Sequence, residues 1–316
     1  AIPLSSPGIC FGGRRLRGTR RMTRRHNDPY LLETRAIRRA FDRASSTYDG
    51  SAVLQGRVRQ QLLDRLDLVT LDPAVILDAG CGTGQAGPLL LKRYRKARLV
   101  SVDLSEGMLR RTRARRLWLR RPTAVCSDAL HLPLADASVD LVFSNLMLQW
   151  CNDLDGVIQE VARVLRPGGL FSFSTFGPDT LTELRQAWST ADGHVHVSRF
   201  IDMHDIGDAL IRAGLATPVL DVDYFCMTYR SVRDLMRDLK AIGASNASGG
   251  RNHGLTGRRR LAAVEQAYEA GRRDGRLPST WEVVYGHAWA SPTRHRGQSA
   301  AGETRIPVSS IGVRDG

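Results

Sequence analysis

The sequence predicts an α/β protein with a doubly wound, Rossmann-like and mostly parallel seven-stranded sheet. Two observations predict this fold. Short apolar runs recur along the chain, and helical stretches separate most of them, as in the βαβ units of a parallel sheet. The first run, at 75–77, ends in a glycine-rich turn, and open α/β sheets bind their ligands at such turns.

The individual elements follow from the spacing of apolar residues. Two N-terminal helices precede the sheet, at 28–48 and at about 52–68, and Asp72-Pro73 ends the second. Strands are expected at 75–77, 99–102, 124–125, 141–143, 170–173, 216–228 and 281–288. Further helices are expected at about 86–95, 105–118, 155–165, 178–190, 202–213, 231–242 and 258–273. The helices at about 230–275 form an insertion before the last strand, where we expect a lid.

One folded domain is expected over 27–290, between a basic N-terminal extension at 1–26 and a disordered tail at 291–316. Much of the net charge of +14 lies at these ends, because 1–26 holds seven arginines and no acid, the tail adds a net +2, and +5 remains. A nucleic-acid binder carries its charge in the folded part, so we expect no nucleic-acid partner. The segment before Met22 is interpreted as non-native or upstream sequence, with an organelle transit peptide as the alternative.

The composition, 42% hydrophobic and 25% charged residues over 316 positions, is typical of a soluble globular protein. The chain has no run of about 18 apolar residues, so no membrane span is expected. Its five cysteines are scattered and form no C-x-x-C pair, which indicates a reducing compartment. We therefore expect a cytoplasmic protein, and a monomer.

The strongest signal for a binding site is the segment Asp78–Gly84, in which glycine occupies every second position from 80 to 84. Glycines let a ligand approach main-chain N–H groups without a Cβ in the way. Asp103 ends the next strand, where a carboxylate can accept hydrogen bonds from both hydroxyls of a ribose. Ser105 already occupies the position of a helix cap, which leaves Asp103 for the ligand. Asp128 closes the third strand and can take an adenine amino group.

These segments, followed by Leu165-Arg166-Pro167-Gly168-Gly169, resemble in order the motifs of class I S-adenosylmethionine methyltransferases over about 70–175. The resemblance implies S-adenosylmethionine as the cofactor, with its methionine part at the glycine turn. The cofactor-binding residues that we expect are Asp78, Gly80, Cys81, Gly82, Gly84, Asp103, Leu104, Met108, Asp128, Ala129 and Asn145.

The flanking segments extend the resemblance over roughly 35–290. The segments Ala40–Asp49, Phe176–Leu181, Arg199–Asp205, Leu235–Lys240 and Glu282–His287 are similar to the malonyl-[acyl-carrier protein] O-methyltransferase family of biotin synthesis. This resemblance implies methyl transfer to the carboxylate of a malonyl group on acyl carrier protein. Two alternatives remain open. One is a small-molecule methyltransferase, for example for a quinone precursor. The other is an arginine-modifying protein like the mitochondrial complex I assembly factor, which shares several of these segments.

The implied reaction needs positioning groups more than a base, because a carboxylate with a pKa near ~4 is already ionised at neutral pH. Arg199 is the candidate that positions it, since a guanidinium meets both carboxylate oxygens. A surface pair with Asp202 or Asp205 is the alternative for Arg199. Tyr48 is expected over the cofactor as part of a lid, and Gln149 faces the substrate with Asn145.

The sequence also bears on metal binding and on the docking of a partner. No metal is expected, because His194, His196 and His204 match no familiar zinc spacing. Seven arginines lie between 110 and 121. An acidic acyl carrier protein can dock on this face, at Arg110, Arg111, Arg113, Arg115 and Arg116. A solvated face is the alternative, and RNA is the other candidate partner, although no stacking-aromatic motif supports it.

Overall fold

The N-terminal helices lie partly at the carboxyl edge of the sheet and partly on one of its faces. The computed structural model of the protein describes residues 28–115, 123–252, 254 and 256–291. Within them the chain begins with α1 (Thr34–Ala44), α2 (Tyr48–Ser51) and α3 (Val53–Arg65). The single helix predicted at 28–48 is therefore wrong, because the chain turns between α1 and α2. The predicted extension at 1–26 lies outside the described residues, as does the tail from 292 onward.

The central part of the chain alternates strands and helices as predicted. These elements are β1 (Val75–Ala79), α4 (Ala86–Arg93), β2 (Arg98–Asp103), α5 (Glu106–Ala114), β3 (Thr123–Cys126), β4 (Val139–Asn145), α6 (Leu154–Val164) and β5 (Leu165–Phe176). The second part contains α7 (Thr182–Ser189), α8 (Met203–Arg212), β6 (Leu215–Tyr229), α9 (Val232–Ala241), α10 (Arg258–Glu269) and β7 (Leu277–Ala290). In the described part of the chain, no helix has the length and apolar character that a membrane crossing requires.

The strands of the described residues form one seven-stranded sheet in the order β3-β2-β1-β4-β5-β7-β6. β1 to β5 pair in parallel, whereas β7 runs antiparallel to both β5 and β6. The strand order reverses between β1 and β4, and open α/β sheets bind ligands at such a switch point. The predicted doubly wound, mostly parallel fold is confirmed.

Helices cover both faces of the central strands, so these strands are apolar on both sides. In β4, Leu141 and Phe143 point to a core with α3 and α7, while Val142 points to the opposite core with α6 and α8. All three side chains are fully buried. This packing on both faces positions the carboxyl end of β4 beside the glycine turn that follows β1.

Side-chain caps set where the helices next to this edge begin. The Ser105 hydroxyl accepts a hydrogen bond from the Met108 amide at the start of α5. The Asp202 carboxylate does the same for the His204 amide at the start of α8. The Ser105 cap was predicted from the sequence and is confirmed. Because Ser105 caps α5, the Asp103 carboxylate is free to face the turn after β1.

The insertion at 230–275 contains α9 and α10, and the loop between them contacts the N-terminal segment. The Glu33 amide donates to the Ala247 carbonyl at 2.8 Å, and the Arg251 guanidinium pairs with the Glu33 carboxylate at 2.7 Å. A Cβ on Gly243 would lie 2.8 Å from a ring carbon of Phe41, so α1 approaches the end of α9 closely. The insertion therefore supports α1 from outside.

Candidate active site

A first cavity opens at the switch point, between the carboxyl ends of β1, β2 and β4 and the inner side of α1. Of the residues predicted to bind a cofactor or form its lid, this cavity is lined by Tyr48, Gly80, Gly82, Asp103, Leu104, Met108, Asp128, Ala129 and Asn145. Asp78, Cys81 and Gly84 are buried behind its wall. Thr34, Ile37 and Phe41 close the cavity from the α1 side.

The turn after β1 has left-handed backbone at Gly80 (φ +73°), Gly82 (φ +54°) and Gly84 (φ +76°), a region that residues with a Cβ rarely adopt. Packing excludes a side chain at two of these positions. A Cβ on Gly80 would lie 2.4 Å from the Met147 side chain, and one on Gly84 would lie 2.8 Å from Thr112. A Cβ on Gly82 would meet nothing within 4 Å, so this glycine leaves open space.

The Asp103 carboxylate ties the turn to the end of β2. It accepts hydrogen bonds from the Gly82 amide and the Ser105 amide, both at 2.8 Å. Burial raises the pKa of Asp103 to about 6, although these backbone donors act in the opposite direction. Each carboxylate oxygen accepts more than one hydrogen bond, so Asp103 still has capacity for hydroxyl groups in the cavity.

The Asp78 carboxylate is buried directly below the turn, with 2% of its surface exposed. Burial and the neighbouring Asp103 charge raise its pKa to about 7, against the opposing effect of Arg59. Among the described residues, its Oδ2 atom has no hydrogen-bond partner. A buried acceptor without a donor is costly. Two carboxylates under an open glycine turn fit a cationic ligand that carries hydroxyl groups, as S-adenosylmethionine does.

Arg59 is a site residue that the sequence analysis missed. Burial lowers the pKa of the Arg59 guanidinium, which extends from α3. The nearby Tyr48 and Asp78 side chains act in the opposite direction and raise this pKa. The Arg59 Nε atom is buried without a hydrogen-bond partner among the described residues. The Tyr48 hydroxyl has a raised pKa, because of burial and then of the Asp103 charge, so it stays neutral. Arg59 brings a positive charge to the rear of the turn, beside the two acids.

One end of the cavity lies at β3 and α5. The Asp128 carboxylate accepts from the Leu130 amide at 3.0 Å and remains partly exposed. Leu104 and Met108 supply apolar surface nearby. Cys81, in contrast, packs its thiol 3.7 Å from the Thr112 hydroxyl, and burial raises the pKa of this thiol. A thiol held protonated in this way is a packing group and not a nucleophile.

A second cavity adjoins the first, and the two share Cys151 and Asn152. The Asn152 amide exchanges two hydrogen bonds with the Leu32 backbone, both at 2.8 Å, which joins this wall to the segment before α1. Gln149 and Thr175 also line the second cavity and are hydrogen-bonded to each other at 3.1 Å. Asn145 stays in the first cavity, where its amide oxygen accepts from Ser174.

The second cavity contains two guanidinium groups. Arg199 lines it and is exposed, and it takes part in no ion pair within the described ranges. The alternative pairing with Asp202 is not formed, because Asp202 contacts His204 at 2.7 Å. Arg185, which the sequence analysis missed, lines the same cavity and donates to the Pro178 and Thr180 carbonyls at 3.1 and 3.0 Å. These bonds fix its guanidinium against the cavity wall.

His196 has structural partners. His196 stacks on Trp188 with ring centroids 3.6 Å apart, and its Nε2 atom lies 2.7 Å from Asp192. In the part of the chain that the structure describes, no group of three histidine, cysteine or acidic side chains can hold a metal ion.

The arginines predicted to dock a partner differ in their surroundings. Arg113 pairs with Glu106 and donates to the Ala124 carbonyl, and Arg115 pairs with Asp49 and donates to the Thr83 carbonyl. Arg110 and Arg111 are exposed. Arg116 lies outside the described residues.

Cofactor binding should weaken at acid pH because of Asp103. Hydroxyl donors and a cationic ligand favour the ionised carboxylate, so bound ligand lowers its pKa below the free value of about 6. The affinity for the cofactor is therefore highest above that pKa. As the pH falls below it, the Kd rises by roughly tenfold per pH unit. Between pH 8 and pH 5, we expect the calorimetric Kd for S-adenosylmethionine to rise about tenfold more in the wild type than in Asp103→Asn.

The ligand's own amine titrates identically in both proteins, so the difference between the two profiles reports the Asp103 charge, including its effect on the pKa of Asp78. Parallel profiles would remove the Asp103 carboxylate from the binding equilibrium.

The chain is similar to known methyltransferases. The methyltransferase domain model matches residues 77–173. A malonyl-[acyl-carrier protein] O-methyltransferase of Methylovorus sp. (strain MP688) is 56% identical over 273 residues, which cover 84% of this chain and 92% of that protein. Another, from Laribacter hongkongensis (strain HLHK9), is 51% identical over 277 residues, with 85% and 93% covered. The YcgJ protein of Bacillus subtilis has a TM-score of 0.54 at 15% identity, over 75% of this chain and 99% of that chain, a likeness of fold.

The glycine turn and the strand-end acids on this fold, together with the matching domain, define an S-adenosylmethionine-dependent methyltransferase. The identities of 56% and 51% over most of both chains identify it further. The chain belongs to the malonyl-[acyl-carrier protein] O-methyltransferase family. The two alternatives, a quinone-precursor methyltransferase and an arginine-modifying assembly factor, are not favoured.

Proposed function

We propose that the protein methylates the free carboxylate of a malonyl thioester on acyl carrier protein, and that the methyl ester enters biotin synthesis. The observation that carries this proposal is a pair of guanidinium groups in a cavity next to the cofactor cavity. Arg185 and Arg199 supply positive charge where an anionic acceptor must lie. The related malonyl-[acyl-carrier protein] O-methyltransferases support the same substrate.

The cofactor residues are proposed from their places in the first cavity. Asp103 accepts the ribose hydroxyls, and Asp128 takes the adenine amino group with Ala129 beside it. Leu104 and Met108 pack on the adenine. The backbone of the turn at Gly80 and Gly82 lies beside the methionine part, together with Asn145. Asp78, Cys81 and Gly84 act from behind the wall by shaping and charging the turn.

When bound, the cofactor supplies an electrophilic methyl group on a sulfonium. The acceptor carboxylate is already ionised at neutral pH, with an ordinary pKa near ~4, so the chain needs no general base. Its residues hold the acceptor oxygen in line and exclude water. Correct positioning of two reactants alone lowers a barrier by roughly 7–11 kcal/mol. The C–S bond breaks as the O–C bond forms, and the electron pair of the C–S bond remains on sulfur.

Arg185 and Arg199 have different positions in this proposal. Arg185 is partly buried and fixed by two main-chain carbonyls, so it offers its remaining N–H groups in a preset direction. Arg199 is exposed and lines the same cavity. We assign the main orienting contact with the malonyl carboxylate to Arg185, and a guiding contact at the entrance to Arg199. A fixed guanidinium loses little entropy on binding a planar carboxylate.

Tyr48 and the inner side of α1 form the proposed cover of the cofactor, supported from outside by the loop between α9 and α10. We propose that the insertion at 230–275 acts as the lid support in this way. The four described cysteines are free, which supports a cytoplasmic protein. We also propose that the protein works as a monomer, without nucleic acid or membrane as a partner, and that Arg110 and Arg111 contribute to carrier docking.

The direct test is incubation of the full chain with malonyl-acyl carrier protein and methyl-labelled S-adenosylmethionine. We expect label on the carrier that mild base releases as methanol, and none when acetyl-acyl carrier protein replaces the malonyl form. Label that resists base, or equal labelling of both carriers, would contradict carboxyl methylation.

A further inference from the structure

Helix α1 has two chemically different sides. Its inner side buries Ile37, Ala40 and Ala44. Its outer side carries four exposed arginines, which are spaced so that they share one face of the helix: Arg35, Arg38, Arg39 and Arg43. The sequence analysis assigned no role to this face.

The outer side of α1 continues onto α5. The Asp42 carboxylate accepts from the Gly107 amide at 2.8 Å and from the Ser105 hydroxyl at 2.7 Å. A Cβ on Gly107 would lie 2.9 Å from the Asp42 backbone, so only glycine permits this close contact. Arg110 and Arg111 lie three and four residues after Gly107, on the same face of α5. We call Arg35, Arg38, Arg39, Arg43, Arg110 and Arg111 the arginine surface.

Two of the acids near this surface are paired with other arginines, Glu33 with Arg251 and Glu106 with Arg113. Asp42 keeps its charge, because its partners on α5 are a neutral amide and a hydroxyl, so one acid lies among the six arginines. No member of the arginine surface takes part in an ion pair formed between described residues, whereas twelve other described arginines do. Six neighbouring like charges repel each other and produce a positive field that attracts an acidic partner.

The arginine surface lies close to the first cavity. The inner side of α1 contributes Thr34, Ile37 and Phe41 to the wall of the first cavity. An α-helix with its side chains is only about 10–12 Å across. A partner bound to the outer side of α1 is therefore within that distance of the cavity where its attached group must arrive.

We propose that the arginine surface is the docking site for the acidic carrier protein that presents the acceptor group. This inference rests on the proposed function and names the partner surface of that function. It moves the docking site from the α5 arginines alone to the joint surface of α1 and α5, without Arg113 and Arg115, which pair with acids of this chain.

The test compares two charge reversals of equal size. In one variant Arg38→Glu and Arg39→Glu change the arginine surface, and in the control Arg258→Glu and Arg259→Glu change two adjacent exposed arginines at the start of α10. We expect the KM for malonyl-carrier to rise at least tenfold in the first variant and less than twofold in the control. The kcat on malonyl-pantetheine, which lacks the acidic protein, should stay within twofold of the wild type in both.

A titration that requires no turnover separates this inference from the proposed function. Binding of fluorescent, unacylated carrier protein should weaken at least tenfold in the first variant only. If wild type methylates neither malonyl substrate, the proposed function fails, while this titration still decides the docking site. Equal weakening by both variants would overturn the surface assignment, and so would loss of binding to an RNA oligonucleotide with unchanged carrier binding.

Discussion

We expect Asp103→Ala to weaken binding of S-adenosylmethionine by about 100-fold or more. Hydrogen bonds to a charged group contribute about 1.5–3 kcal/mol each, and two ribose hydroxyls reach one carboxylate in the proposed geometry. A loss of about 3 kcal/mol is a little more than a 100-fold change in Kd. The variant also loses the acceptor for the Gly82 amide, so the turn under the cofactor loosens as well.

Calorimetry with the demethylated product, S-adenosylhomocysteine, measures this loss without turnover. Asp67→Ala is the matched control, because Asp67 is an exposed acid just after the end of α3 that pairs with Arg93 and lines neither cavity. Thermal unfolding without ligand should show that both variants fold. An Asp103→Ala protein with wild-type affinity would remove the ribose contact from this site.

The second large effect is expected at Arg185. Truncating one partner of a buried, hydrogen-bonded charge pair costs about 2–5 kcal/mol, and Arg185 is only partly buried. We therefore expect Arg185→Met to lower kcat/KM for the malonyl substrate by roughly 100-fold, which corresponds to about 3 kcal/mol. Binding of S-adenosylhomocysteine should remain within twofold, because Arg185 does not line the first cavity.

A readout that depends on charge separates substrate contact from loop support. Arg185 also holds the Pro178 and Thr180 carbonyls, so its loss can disturb the wall of the second cavity. Wild type should bind the malonyl carboxylate more tightly than its methyl ester, and Arg185→Met should bind the two alike. Equal weakening of both ligands would instead assign Arg185 to the loop. Arg199→Ala, examined in parallel, should have a smaller effect.

Local sequence signals predicted most of the fold and the glycine turn and strand-end acids of the first cavity. The apolar run at 75–77, the spaced glycines and the acid at the end of β2 are all short-range patterns, and they correctly placed the first strands of the sheet and the turn after β1. The break between α1 and α2 was missed. The residues of 45–47 contain neither glycine nor proline, and Thr47 is bonded to the distant Ala241 carbonyl, which the pattern cannot show.

The walls of both cavities depend on contacts between distant segments. Arg59 reaches Asp78 and Tyr48 only because α3 packs behind the turn, and nothing near Arg59 in the chain marks it. Arg185 looks like an ordinary helical arginine until the loop before α7 folds back onto it. The spacing of arginines along 110–121 likewise predicted that Arg113 and Arg115 dock a partner, although both pair with acids of this chain.

The Asp49 carboxylate in α2 accepts hydrogen bonds from Thr83 and Gln85 in the glycine turn and pairs with Arg115. This corner of the cover is thus fastened by polar bonds and not by an apolar core. Asp49 is exposed, so water can replace its partners, and an exposed ion pair contributes only about 0–1 kcal/mol. We expect this corner to open at a small cost in free energy, so that the cofactor can enter and its spent product can leave while the apolar contacts of α1 and the sheet stay in place.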